Sequence, residues 1–345
     1  MRLYILLIFF IIIISIFFTW QGIYLPKSFV SGQEKIFPIE KGQSFLEISE
    51  DLEKEGLIQN RIPCIIYLFL TGRYKKLQAG EYSLSSSMTV PEIVEIVVSG
   101  NVTKEKITII EGWSLRDIGC YLENRGMFQA EELFELVGFP LADYSKTTDL
   151  PKPKDFSQEF DFLKDRPKNL GLEGYLFPDT YEIKDEESLE DIIKKMLNNF
   201  NQKLTNDLRE EIKRQNKSIF EVIIMASMIE KEVRTLEDKK LVSGILWKRL
   251  ENNMQLQVDA TITYITGKKT VKITLDDLKI DSPYNTYKYR GLPAGPVCNP
   301  GLESIQASLY PKESEYWFYL STPEGETIFS KTLEEHRVAK DKYLK

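Results

Sequence analysis

Glu230 is a candidate catalytic residue because its carboxyl group lies at the end of a strongly apolar segment. Ser218 followed by Glu221 has the spacing of a capping box, which predicts that a helix begins here. Residues 219–229 are apolar apart from Glu221 and Ser227, a pattern typical of a helix buried on nearly all sides. Glu230 shares a helix face with Ser227, so burial would keep its carboxyl group neutral, as a general acid requires.

Two neighbours of Glu230 leave the role of this carboxyl group open. Glu232 lies about 160° away around the helix, which predicts a solvated or paired side chain. Arg234, four residues after Glu230, could form an ordinary salt bridge at the helix end. Spacing alone therefore does not separate a catalytic carboxyl group from a structural ion pair.

Polar and aromatic residues downstream are candidates for holding a sugar. Gln257, Asp259 and Thr261 occupy alternate positions and would share one face if the segment were extended. The segment 281–301 is dense in Pro, Gly, Tyr and Asn, and exposed Tyr rings can stack on sugars while Asn offers hydrogen bonds. The alternative is a connecting loop with aromatic packing. The candidate substrate-binding residues are Ser227, Gln257, Asp259, Thr261, Tyr284, Asn285 and Tyr287.

The composition excludes several other kinds of site. The 345 residues suffice for about two domains, and a net charge of −7 with mixed signs argues against a nucleic-acid partner. Three scattered cysteines predict neither a disulfide framework nor a zinc site. With His336 as the single histidine, a His-based metal cage or a Ser-His-Asp triad is not expected. We therefore predict no cofactor and no metal, and carboxylates remain as the reactive groups.

The first twenty-four residues predict a membrane anchor. Leu3 to Trp20 is an apolar run with only two mildly polar members, and a helix of that length nearly spans a bilayer. A cleaved signal peptide would have a small-residue exit, whereas the first alanine of the chain is Ala79. Arg2 favours a cytoplasmic N-terminus. We therefore predict a single-pass protein of the inner, cytoplasmic membrane with its body on the outer side.

Two segments, 42–57 and 112–127, resemble each other at an offset of 70 residues. Each has a serine N-cap with an acid three residues later, helical apolar spacing, and a closing glycine. The first copy, with a second short helix near Ile62 to Leu70, has the β-α-α-β character of a LysM-like glycan-binding module, predicted at 34–102. The alternative is a common local pattern without shared function.

The remaining chain, 103–345, is predicted to be an α+β domain. Six of its segments resemble the signature motifs of the MltG/YceG family of endolytic murein transglycosylases, in the family's order. These are LEGYLFPDTY (172–181), ASMIEKEV (226–233), LQVDATITY (256–264), SPYNTY (282–287), GLPAGP (291–296) and NPGLESIQASLYP (299–311).

The resemblance implies an inner-membrane enzyme with Glu230 as its catalytic residue. The implied reaction cuts the MurNAc-β-1,4-GlcNAc bond of nascent peptidoglycan without water, leaves a 1,6-anhydro-MurNAc end, and would terminate strand elongation. Glycan strands and peptidoglycan synthases are the implied partners. Two alternatives stay open: a hydrolytic muramidase with Asp259 as the second carboxylate, or a non-catalytic tether that binds the wall through the repeat.

Overall fold

The computed structural model of this chain describes residues 2–29, 34–100, 104–184, 187–268 and 273–344, which form an α+β protein as predicted. The chain divides into two units, Met1–Lys106 with Glu182–Glu187, and Ile107–Tyr181 with Ser188–Lys345. The domain boundary predicted at residues 102 and 103 lies outside the described residues.

The first unit has one long apolar helix and a β-α-α-β arrangement. Its elements are α1 (Arg2–Tyr24), β1 (Lys35–Ile39), α2 (Phe45–Lys54), α3 (Arg61–Leu70), β2 (Gly80–Leu84) and α4 (Val90–Ser99). Strands β1 and β2 pair antiparallel, with Lys35 opposite Leu84 and Ile39 opposite Gly80. Within α1, the segment Leu6–Tyr24 is long and apolar enough to cross a membrane. The observed element order agrees with the sequence prediction for this part of the chain.

The two repeated segments adopt the same local structure. Ser44 caps α2 and Ser114 caps α5 (Leu115–Asn124), each in a complete capping box with an acid at the third helical position. Gly56 and Gly126, which follow these helices, both have a positive φ. Shared capping and turn chemistry therefore explain the repeat.

The second unit is mainly helical and is built around one buried helix. Strands β3 (Lys104–Thr108) and β4 (Thr180–Lys184) form a two-stranded sheet at the division of the chain. The remaining elements are α5, α6 (Ala130–Val137), α7 (Leu189–Lys203), α8 (Asn206–Arg214), α9 (Ile219–Glu232), α10 (Leu236–Glu251), α11 (Asp259–Thr266), α12 (Leu302–Leu309), β5 (Phe318–Ser321), β6 (Thr327–Ser330) and α13 (Leu333–Tyr343).

Helix α9 is the predicted buried helix. It begins with the expected capping box of Ser218 and Glu221, and every residue from Val222 to Ile229 is buried. Helices α8, α10, α11 and α12 all pack against it. A helix that is apolar on all sides needs such cover, and the cover fixes the position of its last turn.

Candidate active site

The carboxyl group of Glu230 lies at the end of α9 in an enclosed position, with its side chain 8% exposed. Lys239 of α10 donates from Nζ to Oε1 at 3.2 Å, and its own side chain is 4% exposed. The backbone N–H of Gly301, at the start of α12, donates to Oε2 at 2.9 Å. The expected burial is therefore present, but the ionic partner is Lys239 and not Arg234.

This pairing affects the charge of Glu230. An ammonium group and a backbone N–H both favour the ionised form of a carboxyl group. Burial was expected to act alone on Glu230, but its carboxyl group also has a buried cation beside it, which spacing along the chain did not reveal. A catalytic acid at this position needs a source for its proton.

Further carboxylates surround the same pair. Glu303 lies 3.8 Å from the Lys239 ammonium and is solvent-exposed. Partial burial and the neighbouring Glu230 raise the pKa of Glu111. A Cβ at Gly301 would come within 2.1 Å of Glu111 Oε1, so glycine lets this second carboxyl group approach the helix start. The site thus holds several acids around one buried ammonium.

Nothing in the described ranges groups three or more His, Cys, Asp or Glu side chains so that they could hold a metal ion. The acids near Lys239 are instead arranged around that ammonium. What the arrangement offers chemically is proton transfer, because a buried carboxyl group and a buried amine stand within hydrogen-bond distance.

Glu232 differs from its predicted state. Its carboxyl group is enclosed, accepts a hydrogen bond from the Ala260 N–H at 3.4 Å, and is hydrogen-bonded to Tyr319. Burial and, to a smaller extent, the charge of Asp259 raise the pKa of Glu232 to about 7. Of the two predicted states, solvated or paired, the Glu232 side chain is not solvated but hydrogen-bonded, because α11 and the strand β5 cover this face of α9.

Glu173 is a buried acid that sequence reasoning did not single out. It accepts hydrogen bonds from the Leu115 N–H at 3.1 Å and from the Tyr264 hydroxyl at 3.0 Å. Burial raises the pKa of Glu173 to about 8. It belongs to the segment LEGYLFPDTY, so the motif contained the only available signal. Its contacts connect that motif to the start of α5 and to α11.

Asn299 supports the Glu230 site from the loop before α12. Its side-chain amide donates to the Trp113 carbonyl at 2.9 Å, and its amide oxygen accepts from the Leu176 N–H at 2.9 Å. The Gly112 N–H donates to the Asn299 carbonyl at 2.9 Å. These bonds fix the loop two residues before Gly301, whose N–H contacts the carboxylate.

Glutamine at position 173 should change how stability depends on pH. Glu173 has a pKa of about 8 in the folded protein against an ordinary value of 4.5. The folded state therefore keeps the Glu173 proton to a higher pH than the unfolded state does. The resulting contribution to the free energy of unfolding is complete below about pH 4.5 and is lost as the pH rises through about 8. Because Gln stays neutral, the Tm of Glu173→Gln relative to the native protein should rise by several degrees between pH 5 and 9. Thermal unfolding of the full chain measures it.

The surface variant Glu237→Gln is the matched control, since Lys312 and Lys240 lower the pKa of that exposed acid. Its Tm difference from the native protein should not rise over the same pH range. Parallel Tm curves for Glu173→Gln and the native protein would contradict a neutral buried Glu173.

The predicted extended segment around Asp259 is partly helical. Helix α11 begins at Asp259, so Gln257, Asp259 and Thr261 do not alternate on one face, and that prediction is wrong. Asp259 is exposed and accepts a hydrogen bond from the Tyr287 hydroxyl. Gln257 is exposed in the preceding loop, with φ of 53°. Asp259 and Tyr287 interact electrostatically with Glu232, which lies about 160° around α9 from Glu230.

The other predicted sugar-binding residues are buried with partners of their own. The Ser227 hydroxyl donates to the Ile224 carbonyl and accepts from the Val297 N–H at 3.0 Å. Thr261 and Asn285 are 0% and 1% exposed, and the Asn285 amide donates to two backbone carbonyls. Tyr284 is 5% exposed. Its ring cannot present a free face to a sugar, so the expectation of exposed stacking fails there.

An open polar cavity of about 450 Å³ lies beside Gln257. Its lining residues are Asn252, Asn253, Met254, Gln255, Gln257 and Arg290. Amide and guanidinium groups are suited to hydroxyl, acetamido and carboxylate groups. Of these lining residues, Gln257 was predicted from the sequence to bind substrate. The others were not predicted, although the run NNMQLQ is rich in amide side chains.

The model of the YceG-like family matches residues 37–342. The chain belongs to the YceG-like family. The predicted resemblance is therefore confirmed, and the match includes Glu230, Lys239 and Gly301.

Two relatives and one solved structure share this similarity. A Bacillus subtilis (strain 168) protein named endolytic murein transglycosylase is 33% identical over 331 residues, covering 92% of this chain and 90% of that protein. A Streptococcus pneumoniae (strain D39) protein of the same name is 31% identical and covers 86% of this chain, which spans 56% of that longer relative. A solved yceG-like structure from Listeria monocytogenes has a TM-score of 0.59 at 32% identity, covering 90% of this chain and 100% of the other.

Proposed function

We propose that this YceG-like protein is an endolytic lytic transglycosylase of peptidoglycan. It cuts the MurNAc-β-1,4-GlcNAc bond of nascent strands, forms 1,6-anhydro-MurNAc ends, and so terminates strand elongation. Relatives at 33% and 31% identity carry the name endolytic murein transglycosylase. The observation that carries the proposal is the enclosed Glu230 carboxyl group, held between Lys239 and the Gly301 N–H.

In the first step, Glu230 protonates the glycosidic oxygen. The bond from MurNAc C1 to that oxygen breaks, its electron pair stays on the oxygen, and an oxocarbenium-like centre develops at C1. The proton comes from Lys239, whose Nζ donates a hydrogen bond to Glu230 Oε1. When a glycan strand covers the site, loss of water disfavours the charged pair and moves the proton onto the carboxyl group.

In the second step, the Glu230 carboxylate takes the proton from the C6 hydroxyl of the same MurNAc. The C6 oxygen attacks C1 and closes the anhydro ring, which leaves Glu230 protonated again. Because the nucleophile belongs to the substrate, one carboxyl group serves both steps. Gln257, which lines the cavity of about 450 Å³, remains a proposed substrate contact, as do Asp259 and Tyr287.

A hydrolytic muramidase is the second candidate function, and Glu111 favours it more than Asp259 does. The charge of Glu230 contributes to the raised pKa of Glu111, whereas Asp259 acts on Glu232. A hydrolase uses its second carboxylate as a nucleophile or to activate water. Glu111 could take that role only if water has access to the reacting sugar.

Product analysis separates these possibilities. The full chain is incubated with purified peptidoglycan, and soluble fragments are analysed by mass spectrometry. The proposal expects fragments with 1,6-anhydro-MurNAc ends. Fragments carrying an added water and a reducing end would identify a muramidase, and binding without any fragment would identify a tether.

We also propose that α1 anchors the protein in the inner membrane, with the N-terminus in the cytoplasm and the body outside. The apolar segment Leu6–Tyr24 supports the anchor, and Arg2 before it supports the orientation. In this location the active site would meet newly made strands. Peptidoglycan synthases are then the proposed protein partners.

The β1-α2-α3-β2 segment is proposed to be a LysM-like module. Two antiparallel strands flanking two helices support this proposal. Glycan binding by the repeated segments can be measured with the full chain carrying Glu230→Gln. This variant should bind glycan strands without cutting them, so binding is measured separately from cleavage.

A further inference from the structure

One face of α3 is apolar and open to solvent. Ile62, Phe69 and Leu70 are 58%, 65% and 77% exposed, and their spacing places them on a shared helix face. Cys64 and Leu68, on the opposite face, are buried in the core of the first unit. The helix thus has two apolar faces, of which the fold covers only one. A group of exposed apolar side chains on one face usually marks an interaction site.

The start of α3 packs against the last turns of α1, within the same unit. A Cβ on Gly22 would come within 2.5 Å of Pro63 Cγ, so the two helices are in close contact there. Ile23 is buried, while Trp20 and Tyr24 stay half exposed with ring centroids 5.8 Å apart. Trp and Tyr at the end of an apolar helix lie at the level of the lipid headgroups. With α1 inserted as proposed above, helix α3 begins at the depth of the membrane surface.

Basic residues follow the apolar face directly. Lys75 and Lys76 are exposed just after α3, and the Lys75 ammonium lies 5.5 Å from the centroid of the Tyr74 ring. The Tyr74 ring stacks on Phe69 with centroids 6.0 Å apart. Apolar side chains flanked by aromatic rings and lysines are suited to a lipid surface with phosphate headgroups.

We propose that the exposed face of α3 (Ile62, Phe69 and Leu70) rests in the surface of the membrane that α1 crosses, with Lys75 and Lys76 at lipid phosphates. The first unit is then held to the bilayer by a second contact besides the anchor. This inference rests on the proposed membrane insertion of α1. The occupant is lipid because α1 brings the face to bilayer depth and the lysines complement anionic headgroups.

Lipid contact can be measured on the full chain in nanodiscs, one copy per disc. Cys120 is replaced by serine, since the other cysteines are buried. An environment-sensitive fluorophore is attached through Leu70→Cys, Ile13→Cys or Lys41→Cys, all at exposed positions. With a quencher near the headgroup end of the acyl chains, quenching at residue 70 should be at least about two-fold that at residue 41.

The labels at residues 13 and 70 test the insertion of α1 and the lipid contact of α3 separately. Quenching at residue 13 by a quencher deep in the bilayer tests the insertion of α1, and its absence would refute the anchor itself. Quenching at residue 13 with none at residue 70 would refute the α3 contact alone. A blue-shifted but unquenched label at residue 70 would mean that protein covers the face, which also overturns the proposal.

The role of the lysines has its own test. The double change Lys75→Glu and Lys76→Glu should reduce quenching at residue 70 at least about two-fold in discs with anionic lipid, because like charges repel. The matched change Lys41→Glu should leave quenching at residue 70 unaltered. Equal quenching with and without the double change would remove the phosphate contact from the proposal.

Discussion

Replacing Glu230 by glutamine is expected to lower the rate of anhydro-product formation by roughly 1,000-fold. Gln can still accept a hydrogen bond from the Gly301 N–H, but it cannot carry the proton from Lys239 to the glycosidic oxygen. The fold should persist, because Lys239 keeps Glu303 at 3.8 Å as a second partner. Mass spectrometry of released fragments gives the rate, and thermal unfolding reports the fold.

Two matched changes make this result interpretable. Glu232→Gln removes an acid from the same helix, one whose pKa of about 7 also suits proton transfer. Glu237→Gln removes an exposed acid on α10. The proposal expects both to stay within roughly ten-fold of the native rate. A larger loss with Glu232→Gln than with Glu230→Gln would reassign the acid to Glu232.

The helix that carries Glu230 could be predicted because its signals are local. The capping box of Ser218 and Glu221 and the apolar run after it determine both the start of α9 and its burial. The same holds for the capped helices α2 and α5 of the repeat. Each of these features depends on residues within a few positions of one another.

The segment around Asp259 shows where local pattern fails. Alternation of polar and apolar residues from Gln257 to Thr261 is compatible with a strand. The chain instead begins helix α11 at Asp259, which packs against α9 and ends at Gly267 with positive φ. Tertiary packing decided between two structures that the sequence permits.

The exposure of individual loop residues was also beyond local reasoning. Tyr284 and Asn285 lie in a segment rich in Pro and Gly, which favours a surface position. Yet Asn285 donates to the carbonyls of Leu278 and Ile280, and Tyr284 packs in the core of α9. A long loop needs such internal partners for its own backbone.

The partner of Glu230 could not be found from spacing either. Lys239 and Lys240 are adjacent lysines, but the first side chain is 4% exposed and the second 32%. Only the packing of α10 beside α9 distinguishes them. Arg234 has the ideal spacing for a helical pair with Glu230, yet the buried cation comes from the next helix.

Replacing Lys239 by methionine should therefore have a large effect on stability. Breaking a buried ion pair by removing one partner costs about 3–5 kcal/mol. In the variant, the enclosed Glu230 carboxylate has lost its buried cationic partner, so its charged form is disfavoured in the folded protein. The destabilisation should be smallest in acid solution and grow as the pH rises. Chemical denaturation at pH 5 and pH 8 measures both values.

The pH dependence of kcat/KM in Lys239→Met should test whether Glu230 receives its proton from Lys239. In the proposed mechanism, Lys239 is the reserve from which Glu230 receives its proton. In Lys239→Met that reserve is gone, and the alkaline limb of kcat/KM should move to lower pH by about one unit or more. Lys240→Met, which removes only a surface pair with Glu237, should leave the limb in place. An upward shift in Lys239→Met would mean that Lys239 only stabilises the carboxylate, and that the proton reaches Glu230 from elsewhere.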